Sequence, residues 1–362
     1  MISDRLLSIV RCPGCHSMLT VDPATRTTLR CTSCGTEYPQ ASESYLDLRP
    51  REQFAEQTKY LDASLHADAR HERVSPPLLG SKIRNDMLRR FLKPSPGDRL
   101  VDLGCGSGRA LLWNRDWGAE AIGVDIAPFF SEDARREVPL LLGDLRRLPF
   151  GDGVFNRAYS LDVLEHLSPA ALRGMLGEAS RILEPGGTLF VYTHVRKNAP
   201  VAAGLRWINN AARALERLGM VDIRQERLRK SDHLNPLADI PELERVASEA
   251  GFRIARITYY TPIVGGFIEN ILIRVAERAM TRRAARRLQS TNPGNESSGH
   301  ELAIREARRN AKDRIAHKGP TYFALRTLSA AMKLDLVLFG RIRSGPFFAL
   351  LEKTSARAPA QR

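Results

Sequence analysis

Short apolar runs alternate with segments of helical spacing through the middle of the chain. The first run, RLVDL at 99–103, leads into a glycine-rich turn, and residues 109–117 after it have the pattern of a helix. Comparable runs end at Asp125 and Asp144, and later ones read FNRAYSL, TLFVYTH and FRIARITYY. Apolar strands separated by helices are typical of a parallel sheet buried between helical layers. The pattern predicts an α/β fold with a Rossmann-like sheet.

The turn after the first strand carries glycine at every second position. Gly104, Gly106 and Gly108 begin two residues after Asp102. In open α/β sheets, ligands bind beyond the carboxyl ends of the strands, and glycine leaves the backbone accessible to them. A dinucleotide fingerprint requires a further glycine or alanine at position 109, where this chain has arginine. The spacing therefore argues against a dinucleotide as the ligand.

Acidic residues end the next two predicted strands. Asp125 lies 21 residues after Gly104, where a carboxylate can accept hydrogen bonds from both hydroxyls of a ribose. Asp144 ends the third strand, in position for the exocyclic amine of an adenine. We therefore expect a nucleoside site at the carboxyl edge of this sheet.

Three phrases, VDLGCGSG, LPFGDGVFNRAYSLDVLEHL and LEPGGTLFV, resemble the class I S-adenosylmethionine-dependent methyltransferases, in particular the branch of ubiquinone and menaquinone biosynthesis enzymes. The resemblance implies a seven-stranded sheet and S-adenosylmethionine as the cofactor. Two positions depart from that branch, since Asn156 replaces an aspartate and Pro128-Phe129-Phe130 replaces a more polar run. The cofactor-binding residues it implies are Asp102, Gly104, Gly106, Gly108, Asp125, Ile126, Asp144 and Leu145.

Candidate catalytic residues follow the fourth and fifth strands. His166 and His194 are candidate general bases for a hydroxyl acceptor, because a neutral imidazole can take its proton. Asp162, Glu165 and His166 have the i, i+3, i+4 spacing of one helical face, and with His194 they form a candidate Mg²⁺ site. The alternative is that this turn only packs and caps a helix, and we favour that metal-free interpretation. The candidate catalytic residues are thus Asp162, His166 and His194.

Two Cys-x-x-Cys pairs lie near the amino terminus, Cys12/Cys15 and Cys31/Cys34, with fifteen residues between them. This spacing is typical of a four-cysteine zinc site, and four thiolates close the coordination sphere, so the predicted Zn²⁺ is structural. The stretch resembles the zinc-ribbon family that includes activators of transfer-RNA methyltransferases. We predict a zinc ribbon at 1–50.

The remaining chain divides by composition. We predict a linker helix at 51–80, the methyltransferase domain with its first six strands at 81–261, and the last strand with a carboxyl-terminal tail at 345–362. Residues 262–344, which separate the last two strands, are predicted to form a basic amphipathic helical insertion. Between 262 and 345 there are 16 Lys and Arg against 7 Asp and Glu, which is nine of the net charge of +14.

This localised charge leaves three interpretations of the insertion: a solvated face packed on the catalytic domain, docking to an anionic membrane surface, or binding of RNA. The predicted activity is methyl transfer to an O or C atom of a small-molecule or lipid-linked acceptor. Alternatives are an RNA methyltransferase and a non-catalytic cofactor-binding or activator module. Paired cysteines and the lack of a signal peptide or membrane span favour the cytoplasm, with peripheral attachment to the inner face of the membrane left open.

Overall fold

The computed structural model describes residues 4–22, 28–39, 44–50, 74–197, 199–223, 233–291, 319–343 and 345–354. A small sheet comprises β1 (Leu19–Val21), β2 (Thr28–Cys31) and β3 (Glu37–Pro39). The strands of the large sheet are β4 (Leu46–Asp47), β5 (Arg99–Leu103), β6 (Glu120–Asp125), β7 (Leu140–Leu142), β8 (Phe155–Leu161), β9 (Leu183–His194), β10 (Phe252–Tyr259) and β11 (Pro346–Lys353).

The large sheet has the order β10-β11-β9-β8-β5-β6-β7-β4. Strands β4 to β9 pair in parallel, and β11 pairs antiparallel with both β9 and β10. The α/β, Rossmann-like prediction is confirmed. The predicted count of seven strands is wrong, because Leu46 and Asp47, in the range assigned to the ribbon, pair with β7 as an eighth strand. Two residues are too short to show the alternation or apolar run by which a strand is recognised.

Helices cover the sheet. They are α1 (Asp4–Ile9), α2 (Leu79–Leu92), α3 (Arg109–Trp113), α4 (Glu132–Glu137), α5 (Pro169–Ile182), α6 (Ala202–Arg217), α7 (Ile240–Glu249), α8 (Ile263–Phe267), α9 (Arg274–Thr291), α10 (Pro320–Met332) and α11 (Leu334–Phe339). A π-helical segment, Ile268–Ile273, joins α8 to α9. Of the linker helix predicted at 51–80, residues 51–73 lie outside the described residues. Residues 74–78 are not helical, and α2 begins at Leu79.

The amino-terminal segment and the large sheet share one hydrophobic core. Val10 pairs with Phe150 in an antiparallel bridge, and the amides of Arg11 and Gly151 donate to Pro149 O and Ile9 O, each at 2.9 Å. The buried side chains of the shared core include Val10, Leu19, Leu29, Leu145, Leu148 and Phe150. The small sheet is therefore docked against the segment that follows β7.

The segment between β10 and β11 is helical in its described part, as its pattern predicted. The buried carboxylate of Asp335 accepts hydrogen bonds from the first amides of α8, those of Ile263, Val264 and Gly265, at 3.2, 2.9 and 2.7 Å. The start of α2 is capped in the same way, because Leu79 N donates to Ser329 Oγ at 2.7 Å and Gly80 N to Glu269 Oε1 at 3.0 Å. The insertion is thus fixed to α2 by polar side chains. The basic residues Arg305, Arg308, Arg309 and Lys312 lie outside the described residues.

Candidate active site

The three glycines of the turn after β5 have positive φ angles of +84°, +53° and +77°, and they serve different purposes. A Cβ on Gly104 would collide with Val163 Cγ2, and a Cβ on Gly108 would lie 2.6 Å from Ala134 Cβ. A Cβ on Gly106 would meet no atom within 4 Å. Glycine at 104 and 108 is therefore required by packing, and the predicted contacts of these residues with the cofactor stay predictions. Gly106 alone borders open space.

The carboxylate of Asp125, at the end of β6, holds this turn in place. Gly106 N donates to Asp125 Oδ2 at 2.7 Å, and Ala127 N donates to Asp125 Oδ1 at 3.0 Å. Burial raises the pKa of this carboxyl, and these amide bonds act against that rise. A carboxylate has about four lone-pair sites, so two remain for hydroxyl donors. The Asp125 carboxylate can therefore hold the turn and accept hydrogen bonds from a ribose at the same time.

Two further predicted cofactor residues differ in their surroundings. Asp102 is buried at the end of β5, and that burial raises the pKa of its carboxyl well above the ordinary value. Asp144, two residues beyond β7, is also largely buried and is bound by Arg146, whose Nε and Nη2 lie 3.1 and 2.8 Å from its oxygens. Asp144 thus has a bidentate arginine partner that the sequence reasoning did not include.

The amino-terminal segment borders the same edge of the sheet. Arg49 binds both oxygens of Asp47 and donates through Nη1 to the carbonyl of Ile126 at 3.4 Å. The ring of Tyr45 packs edge-on against Phe130, with 5.2 Å between centroids. The unusual Pro128-Phe129-Phe130 run is therefore where residues 45–49 dock. Sequence reasoning missed Arg49, because no periodic pattern surrounds it.

On the other side of the turn, Asp162 follows β8 with a positive φ of 56°. Its side chain pairs with Arg84 of α2, whose Nε lies 3.2 Å from Oδ2. Leu164–His166 form a 3₁₀ turn, and α5 begins only at Pro169. The prediction that Asp162, Glu165 and His166 share one helical face is therefore wrong, because Asp162 has left-handed backbone and lies outside the short 3₁₀ turn that contains the other two.

The predicted histidines do come together, through a third one. The ring of His233 lies 4.7 Å from that of His166 and 5.3 Å from that of His194, between centroids. Glu165 beside them is only 3% exposed and accepts a hydrogen bond from Thr193 Oγ1 at 3.0 Å. Burial and the nearby Asp162 charge raise the pKa of Glu165 to about 8. Sequence reasoning missed His233, which lies 67 residues after His166 in a stretch without periodicity.

The four cysteines of the amino-terminal pairs form one cluster, with all Sγ atoms within 4.8 Å of one another. Sγ atoms of Cys12 and Cys34 are 3.7 Å apart, and those of Cys15 and Cys31 are 3.4 Å apart. The amides of Ser33 and Cys34 each lie 3.5 Å from Cys31 Sγ. Four convergent sulfurs with amide donors are the donor set of a structural Zn²⁺ site.

Residues 101–191, which span β5 to β9, match the protein family described as methyltransferase domain. An uncharacterized methyltransferase of Synechocystis sp. is 34% identical over 96 residues, or 26% of this chain and 45% of that protein. A demethylmenaquinone methyltransferase of Corynebacterium kroppenstedtii is 36% identical over 104 residues, or 28% of this chain and 44% of that protein. The chain thus spans less than half the length of these curated relatives.

Among solved structures, a phosphoethanolamine N-methyltransferase of Haemonchus contortus in complex with S-adenosylmethionine is similar with a TM-score of 0.46. It is 15% identical, and the match covers 83% of this chain and 61% of that one. The family match and the curated relatives support an S-adenosylmethionine-dependent methyltransferase.

Proposed function

We propose that this protein binds S-adenosylmethionine beyond the carboxyl ends of β5, β6 and β7 and transfers its methyl group to a small-molecule or lipid-linked acceptor. The observation that carries the proposal is the open space at Gly106, with Asp125 and Asp144 at the ends of the next two strands. The match of residues 101–191 to a methyltransferase family supports it.

The cofactor fits the residues present. Asp125 has lone pairs left for the ribose hydroxyls, and Asp144 with Leu145 lies where an adenine would bind. The backbone at Gly106 borders open space, whereas a side chain at Gly104 or Gly108 would collide with Val163 or Ala134. Ile126 directly follows Asp125, and its carbonyl accepts a hydrogen bond from Arg49. Asp102, two residues before the turn, is buried.

When bound, the cofactor supplies an electrophilic methyl group, whose carbon–sulfur bond breaks as an O or C atom of the acceptor bonds to the carbon, leaving the electron pair on sulfur. The chain's own residues orient the acceptor and exclude water. His194 at the end of β9 takes the proton that a hydroxyl acceptor loses and passes it to water. Arg84 of α2 pairs with Asp162 just after β8, the strand next to β9.

The surface of the insertion supports an acceptor that resides in a membrane. On α11 and just after it, Val337 is 79% exposed and Leu338 is 59% exposed, and Arg341 is exposed beside them. Apolar and basic side chains on one exposed segment favour an anionic lipid surface. The demethylmenaquinone methyltransferase among the relatives is consistent with a lipid-like acceptor. Within the described part of the chain, no helix is long and apolar enough to cross a bilayer.

Cofactor binding is tested by calorimetry on the full chain with S-adenosylmethionine and S-adenosylhomocysteine. Gly106→Ala places a methyl group in the open space and is expected to weaken binding at least tenfold, with a cost of about 1 kcal/mol in stability for the left-handed backbone. Gly177→Ala is the control, because its Cβ also meets no atom within 4 Å but lies on α5. No binding by the unmodified chain would refute the proposal.

The acceptor is tested by incubating labelled cofactor and the protein with cell extract, then separating organic-solvent, RNA and protein fractions. Label in the organic fraction is the expected result. Label in RNA would favour an RNA methyltransferase, and cofactor binding without turnover on any fraction would favour a non-catalytic module. Either of those results contradicts the proposed acceptor.

A further inference from the structure

A buried carboxylate and three imidazoles cluster at the carboxyl ends of β8 and β9, beside the cofactor turn. Glu165 is 3% exposed and has Thr193 Oγ1 as a hydrogen-bond donor. The ligand atoms of Glu165, His166 and His233 all lie within 4.8 Å of one another. Burying a carboxylate is costly unless a cation or several donors compensate its charge. The cluster has the composition and the spacing that a divalent cation requires.

His233 is held against this cluster by its own backbone. Two residues later, Asn235 N donates to Glu165 O at 2.9 Å. The segment then pairs with the chain leaving β9, because Arg196 N donates to Leu237 O at 3.0 Å and Lys197 N donates to Ala238 O at 2.9 Å. Three backbone hydrogen bonds therefore fix the position of His233 relative to Glu165 and His166.

We propose that Glu165, His166 and His233 bind a divalent first-row transition-metal ion such as Zn²⁺ or Mn²⁺, with the imidazole of His194 at its border. Two imidazole nitrogens and one carboxylate oxygen suit these ions, whereas Mg²⁺ prefers a shell of oxygen ligands and water. The site differs from the candidate Mg²⁺ set of the sequence analysis, where the metal-free interpretation was favoured. Asp162 is engaged by Arg84 instead, and His233 takes its place.

Three protein ligands leave coordination positions open. An acceptor oxygen bound there would lose its proton more readily, and His194 is placed to receive that proton. This role in acceptor binding rests on the proposed methyl transfer. Metal binding itself does not, and it is measurable without cofactor or acceptor.

The test compares bound metal per chain in the full-length protein and in variants, after dialysis against a chelator and reloading with Zn²⁺ or Co²⁺. Glu165→Gln and His233→Ala are expected to hold one equivalent less than the unmodified chain, whatever the cysteine cluster holds, with affinity at this site lower by at least about 100-fold. The Co²⁺ lost should be the fraction without thiolate-to-metal charge-transfer absorbance. Asp162→Asn is the matched control and should keep the ion.

Cofactor calorimetry on the same samples shows whether each variant is folded. The proposal is overturned if the unmodified chain and both ligand variants hold equal metal, or if Asp162→Asn loses the ion as they do. If S-adenosylmethionine does not bind but the metal difference is found, the proposed function fails and the metal site stands. If the cofactor binds and no metal difference is found, only the metal site fails.

Discussion

The cysteine-rich segment and the helical insertion are both additions to the same sheet, but different interactions hold them to it. The first contributes Val10, Leu19 and Leu29 to the core that also contains Leu148 and Phe150. The second has polar caps at Ser329 and Asp335 and buries fewer side chains, Ile268 and Met332, in the core cluster beside α2, and many of its other large apolar side chains are exposed. Those exposed side chains are Phe267, Leu272, Met280, Phe323, Leu334, Val337, Leu338 and Ile342.

The difference indicates a division of roles. A segment whose side chains complete the core is part of the folding unit, so its loss should be felt throughout the domain. A segment that shares fewer buried side chains with the core is expected to disturb the core less when it is loosened, and its exposed apolar surface is available for contact with a lipid or protein partner. Three predictions test this contrast, in decreasing order of their effect on the free energy of unfolding.

The largest effect is expected at the cysteine cluster. Cys31→Ser removes one of the four convergent sulfurs of the predicted zinc site. If Zn²⁺ binds there, the variant should lose it, and the free energy of unfolding should fall by more than about 3 kcal/mol, because structural zinc contributes directly to folding. Urea unfolding followed by the core signal measures it. Met18→Ser, at a side chain of the same segment that is 58% exposed, is the control and should change stability by less than about 0.5 kcal/mol. Equal stability of both variants would show that the segment folds independently.

An intermediate effect is expected for Asp335→Ala, which leaves the amides of Ile263, Val264 and Gly265 without their acceptor. The cost should be about 2 kcal/mol and should be confined to the insertion. Hydrogen exchange at these amides measures it, and calorimetry should find cofactor affinity unchanged. Asp239→Ala removes a single bond, to Glu242 N, at the start of α7 and should cost about 1 kcal/mol. A global loss of protection in Asp335→Ala would contradict the contrast.

The smallest effect on folding is expected for the pair Val337→Ser and Leu338→Ser, within about 0.5 kcal/mol for each exposed position. Co-sedimentation with phosphatidylglycerol vesicles should nevertheless weaken about tenfold per residue, since each change removes apolar area from the lipid contact. Vesicles of phosphatidylcholine alone should bind the unmodified chain less. Met18→Ser again serves as control. Unchanged sedimentation of the two variants would contradict the proposed contact with a membrane surface.

The half of the site that we propose to bind the cofactor could be predicted from local sequence, because each of its elements lies within one continuous stretch. Apolar runs correctly predicted the positions of β5, β6 and β7. The glycine spacing predicted the turn after β5, and Asp125 and Asp144 were predicted at the ends of the next two strands. The local pattern could not show why glycine is needed at 104 and 108, because the side chains that contact the turn there, Val163 and Ala134, belong to distant parts of the chain.

The acceptor half could be predicted only in part. His166 and His194 were identified from strand ends, but His233 joins them through backbone pairing with residues 165, 196 and 197, which leaves no periodic signal. Helical spacing misled at Asp162, where a left-handed residue and a 3₁₀ turn interrupt the expected helix. Short-range patterns specify elements, whereas contacts between distant irregular segments need the coordinates.

The two-residue strand β4 has a consequence for handling the molecule. It occupies the side of β7 that β6 leaves open, with Leu48 N donating to Leu142 O at 2.9 Å. A truncated form lacking the first fifty residues would present unpaired backbone groups there to identical molecules, and such edges recruit one another. We therefore expect the truncated protein to precipitate before any loss of activity can be measured.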